Sequence, residues 1–468
     1  MTRLKRMNIL KKTILAYCSV IFCVSCSLNI PPADQYSDPD AITSIDAARS
    51  LLASTYAQYP HCEYELSILG NDFCPNNLTR KDISQGNLYA WQDKEIYTLA
   101  ENLWTNYYAT IASCNTLIER LSFVETHGKD EQQELSAIAS EVKTLKAMCY
   151  FNLLRLYAPA YDINKKAPGI ILKDALQLDF LERSTIEQCV TSIRSLLQEA
   201  VKVDNHPVQN GWLSQDAAYY LLAELELYTG NYEAAIQYGE RIIGNAQPDF
   251  FTTSGIEQLW GEGSSKVRIF AFSNDGRYLE SMQYTAQDGD FFSVNPQITY
   301  TGKDLRAATY SKVVEQEGHQ TLQLGKYNMN TKKGKDSRYV DMMRYAGAYF
   351  IVAESYAQIG QLQKATTTIN NYLAAIKADP IADGYNKTEL VAQILVEKQK
   401  EFVGEGVSFF DRKRIHLSSL PRLGKWGIGV TNTIKPDDYR WTFPIPRSEY
   451  RYNDYIVQNK GWSITKRN

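Results

Sequence analysis

The chain has 468 residues, of which 44% are hydrophobic and 22% are charged, and its formal net charge is −3. That length supports a large hydrophobic core in one lobe or in two. A mildly acidic chain lacks the basic surface that nucleic-acid binding requires, so we expect no nucleic-acid partner. The chain has eight cysteines, none beyond Cys189, which is not the pattern of a disulfide-stapled fold.

The first 25 residues carry the pattern of an export signal. Residues 3–12 hold five basic side chains, and residues 14–24 form an apolar stretch interrupted only by Ser19. This stretch is shorter than the roughly 20 residues that span a bilayer. A basic start, a short apolar segment and then small residues are typical of a secretory signal. We therefore predict that residues 1–25 are a signal peptide that is removed.

The pair Ser25-Cys26 closes this signal. It resembles a lipobox, the site at which a cysteine receives a lipid and the chain is cut just before it, although Cys23 stands where Leu is usual. We predict Cys26 as the lipid attachment site. The alternative is an ordinary signal peptide that releases a soluble periplasmic protein. No later apolar segment has the length of a membrane span, so membrane attachment would depend on this lipid.

Three segments further along have apolar residues at three- to four-residue spacing, which predicts amphipathic helices. They cover residues 94–124, 132–157 and 185–203. Cys114 and Cys149 fall within the first two segments, where we expect buried free thiols.

Two other cysteines, Cys62 and Cys74, flank a short loop. An exported protein meets an oxidising compartment, in which two such cysteines can pair. A disulfide and two free thiols are both compatible with the sequence.

Two segments that lie 130 residues apart share the pattern of a tetratricopeptide helix pair. Each has a small residue in a first helix, a glycine at the turn and an alanine in a second helix. The matched positions are Ala223 and Ala353, Glu224 and Glu354, Gly230 and Gly360, and Ala235 and Ala365. Small residues let two helices approach closely, and glycine permits the tight turn. We therefore predict a mainly α fold, a tetratricopeptide-like helix-pair scaffold with long loop-rich, partly β insertions.

The two long irregular regions are residues 60–93 and residues 245–340. Helical periodicity is absent from the second, in which glycines separate short β-prone pieces such as residues 267–272. Irregular segments on a rigid scaffold frequently carry function. Both regions combine aromatic residues with Asn and Asp. Aromatic rings attract the polarised C–H face of a sugar, and amides and carboxylates bond its hydroxyls.

These regions supply the candidate ligand-binding residues. They are Asp72, Asn87, Tyr89, Trp91, Trp260, Tyr278, Tyr284 and Phe291. We expect residues 60–93 and 250–300 to converge, with Trp91 as the leading surface on which a sugar would stack. The alternative is that most of these rings fill the core, because tyrosine is abundant throughout the chain.

Two motifs occur near the C-terminal end. Residues 397–414 contain E-x-x-x-E-F, then G-E-G, then an aromatic residue followed by Asp and a basic pair. Residues 443–462 contain P-I-P, then Glu, Asn and Q-N-K-G-W. In this order the two motifs resemble the signature of the SusD/RagB family. Ser408, Arg412 and Lys460 depart from the family's usual Arg, Leu and Pro.

With the lipobox and the helix pairs, this resemblance covers essentially the whole mature chain. It implies a SusD-like fold, with a helical region over residues 26–212 and a second region over residues 213–468. It also implies a lipid-anchored outer-membrane protein that faces the cell surface, binds a nutrient such as a glycan or oligosaccharide, and passes it to a TonB-dependent, SusC-like barrel. Family glycan sites lie on loops, so the C-terminal motifs are interpreted as structural.

A glycan hydrolase is one alternative from another class. It requires two carboxyl groups that face a cleft, and Glu397, Glu401 and Glu405 are the candidates. We interpret them instead as partners in interhelical salt links. The basic residues nearby are Lys398, Lys413 and Arg414. The histidines are isolated and no nucleotide or dinucleotide fingerprint occurs, so we predict no metal, no cofactor and no enzymatic activity.

A second alternative is a tetratricopeptide-type scaffold that binds a peptide or protein partner. Such a scaffold would hold an extended peptide in a groove between its helix pairs, and the aromatic loops would then have no role.

Overall fold

Helices dominate the computed structural model of this chain. It describes residues 42–76, 83–176, 180–247, 250–260, 265–273, 292–316, 318–328, 339–416 and 419–463. The predicted signal peptide, Cys26, Tyr278, Tyr284 and Phe291 lie outside the described residues. The described residues from Ile42 onward belong to one compact unit. Within the described ranges, no helix is long and apolar enough to cross a membrane.

The N-terminal half is built around two long neighbouring helices, α4 and α5. Its helices are α1 (Ile45–Ala57), α2 (Glu63–Leu69), α3 (Ile83–Tyr89), α4 (Asp93–Arg120), α5 (Lys129–Tyr157) and α6 (Ile186–Ala200). The three amphipathic helices predicted from the sequence are confirmed as α4, α5 and α6. A capping box starts α6, because the Thr185 side chain accepts from the Gln188 amide and Gln188 bonds back to the Thr185 backbone.

The C-terminal half contains the two predicted helix pairs. Its helices are α7 (Gln215–Thr229), α8 (Tyr232–Asn245), α9 (Thr253–Leu259), α10 (Tyr345–Gln358), α11 (Leu362–Ala375), α12 (Lys387–Glu401), α13 (Val407–Ile415) and α14 (Arg447–Tyr450). Gly230 and Gly360 have left-handed φ values of 77° and 81° at the turns of α7–α8 and α10–α11. Ala223 and Ala353 are fully buried, as the pattern predicts.

The two helix pairs lie side by side, although 130 residues separate them in sequence. At Gly239 on α8, an added Cβ would lie 2.4 Å from Val352 Cγ2 on α10. At Gly347 on α10, an added Cβ would lie 1.9 Å from the hydroxyl of Tyr220 on α7. The absence of a side chain at these positions is therefore what allows the close contact between the pairs.

The strands form two-stranded antiparallel ladders. They are β1 (Phe73–Cys74) with β3 (Ser293–Val294), β2 (Arg268–Ser273) with β6 (Tyr339–Arg344), β4 (Ser311–Gln316) with β5 (His319–Leu324), and β7 (Leu420–Leu423) with β8 (Val430–Ile434). The strand predicted at residues 267–272 is confirmed as β2. The β1–β3 ladder pairs Phe73 with Val294, so the regions 60–93 and 250–300 converge as expected.

The cysteines of the described part are buried free thiols. They are Cys62, Cys74, Cys114, Cys149 and Cys189. Cys62 and Cys74 therefore stay unpaired here, and the buried positions expected for Cys114 and Cys149 are confirmed.

Candidate functional site

Trp91, the expected sugar-stacking residue, lies in the core. Its side chain is 0% exposed. The ring packs edge-on against Trp441, with 4.6 Å between ring centroids, and lies 6.2 Å from Phe409 on α13. The segment before it folds as helix α3, which lays the ring against α13. We therefore correct its predicted role, because a ring without solvent contact cannot stack on a ligand.

Trp260 is also completely buried. Its ring lies edge-on to Tyr310 and Tyr327, at centroid distances of 5.6 and 5.4 Å. The Lys326 ammonium lies 5.0 Å from the centre of the indole ring. Trp260 is therefore a core residue of the insertion and not a ligand contact in this arrangement.

Asp72 is buried and anchors its loop to the first C-terminal motif. Its carboxylate accepts hydrogen bonds from Ser408 Oγ at 2.7 Å, the Gly404 amide at 3.1 Å and Gln399 Nε2 at 3.1 Å. Burial raises the pKa of Asp72, and the hydrogen bonds from Ser408, Gln399 and Gly404 oppose that shift. Each lone pair used inside the protein is unavailable to a sugar hydroxyl, so this geometry is structural.

The remaining two predicted residues of the first region are also occupied by protein contacts. Asn87 is half-buried, and its amide donates to Glu95 Oε1 at 3.1 Å. Tyr89 is buried, and its hydroxyl donates to the Leu423 carbonyl of β7 at 3.0 Å. Burial raises the pKa of Tyr89 to about 12.

Arg422 of β7 holds this region in place through backbone carbonyls and an amide oxygen. The side chain is completely buried, and its guanidinium lies 3.8 Å from the Tyr89 ring centre. It donates to the carbonyls of Tyr89 at 3.0 Å and Ile68 at 2.6 Å, and to Asn71 Oδ1 at 3.1 Å. The hairpin β7–β8 is therefore fixed to the loop that follows α2.

A buried ion-pair network fixes the insertion to the end of α12. Arg344 of β6 contacts Glu401 Oε1 at 2.6 Å and Glu405 Oε1 at 2.7 Å. Lys326 contacts Glu405 Oε1 at 2.5 Å, and Tyr310 donates to Glu401 at 2.8 Å. Burial lowers the pKa of Lys326 to about 8, although Glu405 opposes this. The salt links expected for Glu401 and Glu405 are confirmed, but they are not interhelical, because Arg344 ends strand β6 and Lys326 follows β5.

The basic residues that pair with Glu401 and Glu405 are not Lys398, Lys413 and Arg414, the three that the sequence suggested. Lys326 lies in the irregular region 245–340 and Arg344 lies at the end of β6. Lys398 pairs instead with Asp411 at 2.8 Å, and Arg414 pairs with Glu354 at 2.7 Å. Lys413 donates to backbone carbonyls at the end of α5. The partners of a glutamate on a helix depend on which distant segment packs against that helix. The spacing of residues in the sequence does not show which segment this is.

Trp426 forms an exposed aromatic surface. It lies in the turn between β7 and β8 and is half-exposed. Its φ and ψ are 62° and 17°, a left-handed conformation that is strained for a bulky residue. Such strain costs of the order of 1–3 kcal/mol and persists only where the surroundings enforce it. The strained backbone at Trp426 therefore indicates that the surrounding fold holds this side chain in one position.

Both convergent regions hold the Trp426 backbone. Its amide donates to the Pro75 carbonyl at 2.8 Å. The next residue, Gly427, has a φ of 75° and lies so close to Pro296 that a Cβ would be 2.6 Å from Cγ. Pro75 belongs to the region 60–93 and Pro296 to the region 250–300. The two regions that were predicted to converge thus hold a tryptophan at the surface. This tryptophan, Trp426, is not one of the predicted site residues.

The surface around Trp426 mixes apolar and polar groups. The His319 ring, from the β4–β5 hairpin, stacks on Trp426 at a centroid distance of 5.0 Å and an interplanar angle of 14°. Ile428 and Val430 are 67% and 58% exposed. Asn432 on β8 is exposed and carries hydrogen-bonding groups. A flat apolar face beside amides and hydroxyls is what a pyranose ring requires.

The sequence does contain a signal that Trp426 is exposed. Gly424, Gly427 and Gly429 surround it between two β-prone segments, which is a turn signal. A large aromatic residue inside a glycine-rich turn has few neighbours able to bury it.

Two family models match the chain. One, described as starch-binding associating with outer membrane, matches residues 32–227, and the SusD family model matches residues 261–462. Together they cover most of the chain, including the two C-terminal motifs. A comparison with curated protein sequences finds no significant match.

Solved structures with the same fold include several from Bacteroides species. A protein from Bacteroides vulgatus named for sugar binding has a TM-score of 0.77 at 19% identity, over 90% of this chain and 100% of that one. A SusD-like carbohydrate binding protein from the same species has a TM-score of 0.76 at 17% identity, over 91% and 100%. A SusD superfamily protein from Bacteroides thetaiotaomicron has a TM-score of 0.73 at 21% identity, over 89% and 100%. The family models, the motifs and the fold agree, and the chain belongs to the SusD family.

Proposed function

We propose that this chain is a lipid-anchored outer-membrane protein that binds a glycan at the Trp426 surface and passes it to a TonB-dependent barrel. Membership of the SusD family supports the binding role. The observation that carries the site is Trp426 itself, a half-exposed ring in a strained turn that both convergent loop regions hold. A modest site of this kind suits a protein that must release its ligand to a transporter.

The chemistry of the site supports a sugar ligand. The π face of an indole ring attracts the polarised C–H groups of a pyranose, and such a contact adds about 1 kcal/mol beyond the burial of apolar area. The side chains of Asn432 and Thr431 are exposed next to the turn, although Asn432 Oδ1 accepts from the Thr433 amide at 2.7 Å and the Thr431 hydroxyl donates to the Arg422 carbonyl at 3.1 Å. The NH2 group of Asn432 and the lone pairs of the Thr431 oxygen can still bond sugar hydroxyls. Affinity would then grow with the number of sugar rings that reach these groups.

The carboxylates support a binding role over hydrolysis. A glycosidase needs two carboxyl groups that face the substrate. Glu401 is completely buried and Glu405 nearly so, and both are engaged by Arg344. Glu397, the third candidate, pairs with Arg306 at 3.0 Å and with Lys400 at 2.5 Å. All three carboxylates are thus engaged in ion pairs, which disfavours the hydrolase alternative.

The helix pairs favour a glycan over a peptide held between helices. Nearly all of α10 is buried, because α8, α11 and α12 pack around it. Its small residues, such as Gly347 and Ala353, are already in contact with neighbouring helices. The tetratricopeptide pattern therefore serves the core, and the groove that a peptide would need on α10 is filled.

The proposed anchor predicts a clear effect of Cys26→Ala. Without the thiol, no lipid can be attached, and the protein should appear in the soluble fraction or remain as an unprocessed precursor. Membrane flotation after cell lysis measures this, with Cys23→Ala as the matched control that should keep the anchor. Continued flotation of Cys26→Ala with the outer membrane would contradict lipid attachment at Cys26.

A glycan array on the protein without residues 1–25 tests the proposed ligand class. Starch-derived α-glucans are the first glycans to test, because one matching family model is described as starch-binding. Binding to one family of oligosaccharides supports the proposal, whereas binding to peptides and to no glycan contradicts it. Co-purification with a TonB-dependent barrel after tagging this chain in its native cell tests the partner.

A further inference from the structure

Two rings from separate hairpins meet at the proposed site. Trp426 comes from the β7–β8 turn, and His319 is the first residue of β5, next to the β4–β5 turn. Their centroids are 5.0 Å apart, and their planes are 14° from parallel. At that separation the two rings are in direct stacking contact, so no sugar ring fits between them. One face of Trp426 is thus occupied by His319, and the Lys425 ammonium also lies 5.0 Å from the centre of the indole ring.

The two partners of this stack are held very differently. The Trp426 backbone is fixed by the Pro75 carbonyl and by the contact of Gly427 with Pro296. His319 is exposed, and its ring makes no hydrogen bond among the contacts described. A side chain at a hairpin tip can change rotamer within nanoseconds, whereas the strained turn cannot move without losing its contacts. The histidine is the partner that can leave.

We propose that His319 is a displaceable cover, which occupies the stacking face of Trp426 until a glycan ring takes its place. This inference rests on the proposed glycan site. A ligand must then gain more from Trp426 and its neighbours than the histidine does. A single sugar ring would gain little, whereas a longer oligosaccharide that also reaches Thr431 and Asn432 would displace the cover. His319 would therefore lower the affinity of every ligand that stacks on Trp426 by the same factor, so that only ligands with further contacts bind at low concentration.

Removing the cover should strengthen binding. His319→Ala should bind maltoheptaose, or the array oligosaccharide bound best if that is another glycan, about three- to tenfold more tightly. His319→Phe keeps a stacking ring and should keep the affinity of the unmodified protein. Gln320→Ala, at the neighbouring exposed position of β5, is the matched control and should change nothing. The fold gain in affinity should be similar for maltose and for maltoheptaose, because both must displace the same ring.

Acrylamide quenching of tryptophan fluorescence tests the cover without any glycan. The contribution of Trp426 is the difference between the unmodified protein and Trp426→Phe. His319→Ala should raise the quenching of that contribution, and His319→Phe should not.

Failure of this inference can be told apart from failure of the proposed function. If His319→Ala weakens binding or leaves both affinity and quenching unchanged, while Trp426 is still needed for binding, the cover is rejected and the glycan site stands. If the unmodified protein binds no glycan, the proposed function fails, and quenching alone decides whether His319 covers Trp426.

Discussion

Replacing Glu401 with Gln should lower the free energy of unfolding by about 3–5 kcal/mol, because it removes one of the counter-charges of two buried arginines. Glu401 is completely buried and contacts Arg344 at 2.6 Å and Arg306 at 3.5 Å. The uncharged amide keeps the volume of the side chain, so the loss reports charge and hydrogen bonding. Urea denaturation followed by circular dichroism measures the change.

The matched control is Glu187→Gln, in the exposed pair of Glu187 with Lys165. Because solvent screens that pair, its loss should leave the unfolding curve unchanged within error. A Glu401→Gln protein that is as stable as this control would contradict the ion-pair network described here.

The same network predicts a pH dependence. Burial alone would raise the pKa of Glu401, but Arg344 and Arg306 hold it below its ordinary value of 4.5. A carboxyl group with a lowered folded-state pKa stabilises the fold above its ordinary pKa, and this contribution is lost as the pH falls through the lowered value. The unmodified protein should therefore lose stability below pH 4.5 more steeply than Glu401→Gln. Parallel curves would contradict this role of Glu401.

Trp91→Ala should destabilise the fold by about 3–5 kcal/mol, the usual loss when a buried Trp is truncated. The ring is 0% exposed and fills the space between Trp441 and Phe409. Its removal leaves a cavity that neighbouring rings cannot fill without leaving their own contacts. Chemical denaturation measures the loss, and the folded fraction should still bind the array glycan with unchanged affinity.

Trp426→Ala is the control for that experiment, because the half-exposed ring leaves little cavity and stability should change by less than about 1 kcal/mol. A stable Trp91→Ala protein with lost glycan affinity would mean that Trp91 does contact the ligand.

The helical scaffold could be predicted because its signals are local. Apolar spacing defines α4 to α6, and the Gly230 and Gly360 turns, with Ala223 and Ala353, define the two helix pairs. These requirements are set by residues a few positions apart in sequence, so the pattern records them. The convergence of the two irregular regions followed from the need of both to lie outside the helix pairs, and β1–β3 confirms it.

The exposure of individual rings could not be predicted in the same way. Trp91 and Trp426 both follow polar, irregular sequence, yet α3 folds the first against α13, whereas glycines and Pro296 hold the second at the surface. The difference arises from contacts with residues hundreds of positions away. Asp72 is a similar case, because its partners Gly404 and Ser408 belong to a distant motif.

The C-terminal motif gains a physical role from these contacts. Asp72 ties the first irregular region to Gly404 and Ser408, while Arg344 ties the insertion to Glu401 and Glu405. One short segment at the α12–α13 junction thus holds both regions that support Trp426. These contacts agree with the interpretation of the motif as structural.

A calorimetric titration of Trp426→Ala with the best glycan from the array is the direct test of the site. If stacking on this ring contributes about 1.4 kcal/mol, affinity should fall at least about tenfold while the melting curve stays unchanged. The matched control is Trp212→Ala, another half-exposed tryptophan, which lies against Arg49 and Tyr56 and should bind normally. Unchanged affinity of Trp426→Ala, or an equal loss in Trp212→Ala, would contradict a glycan site at Trp426.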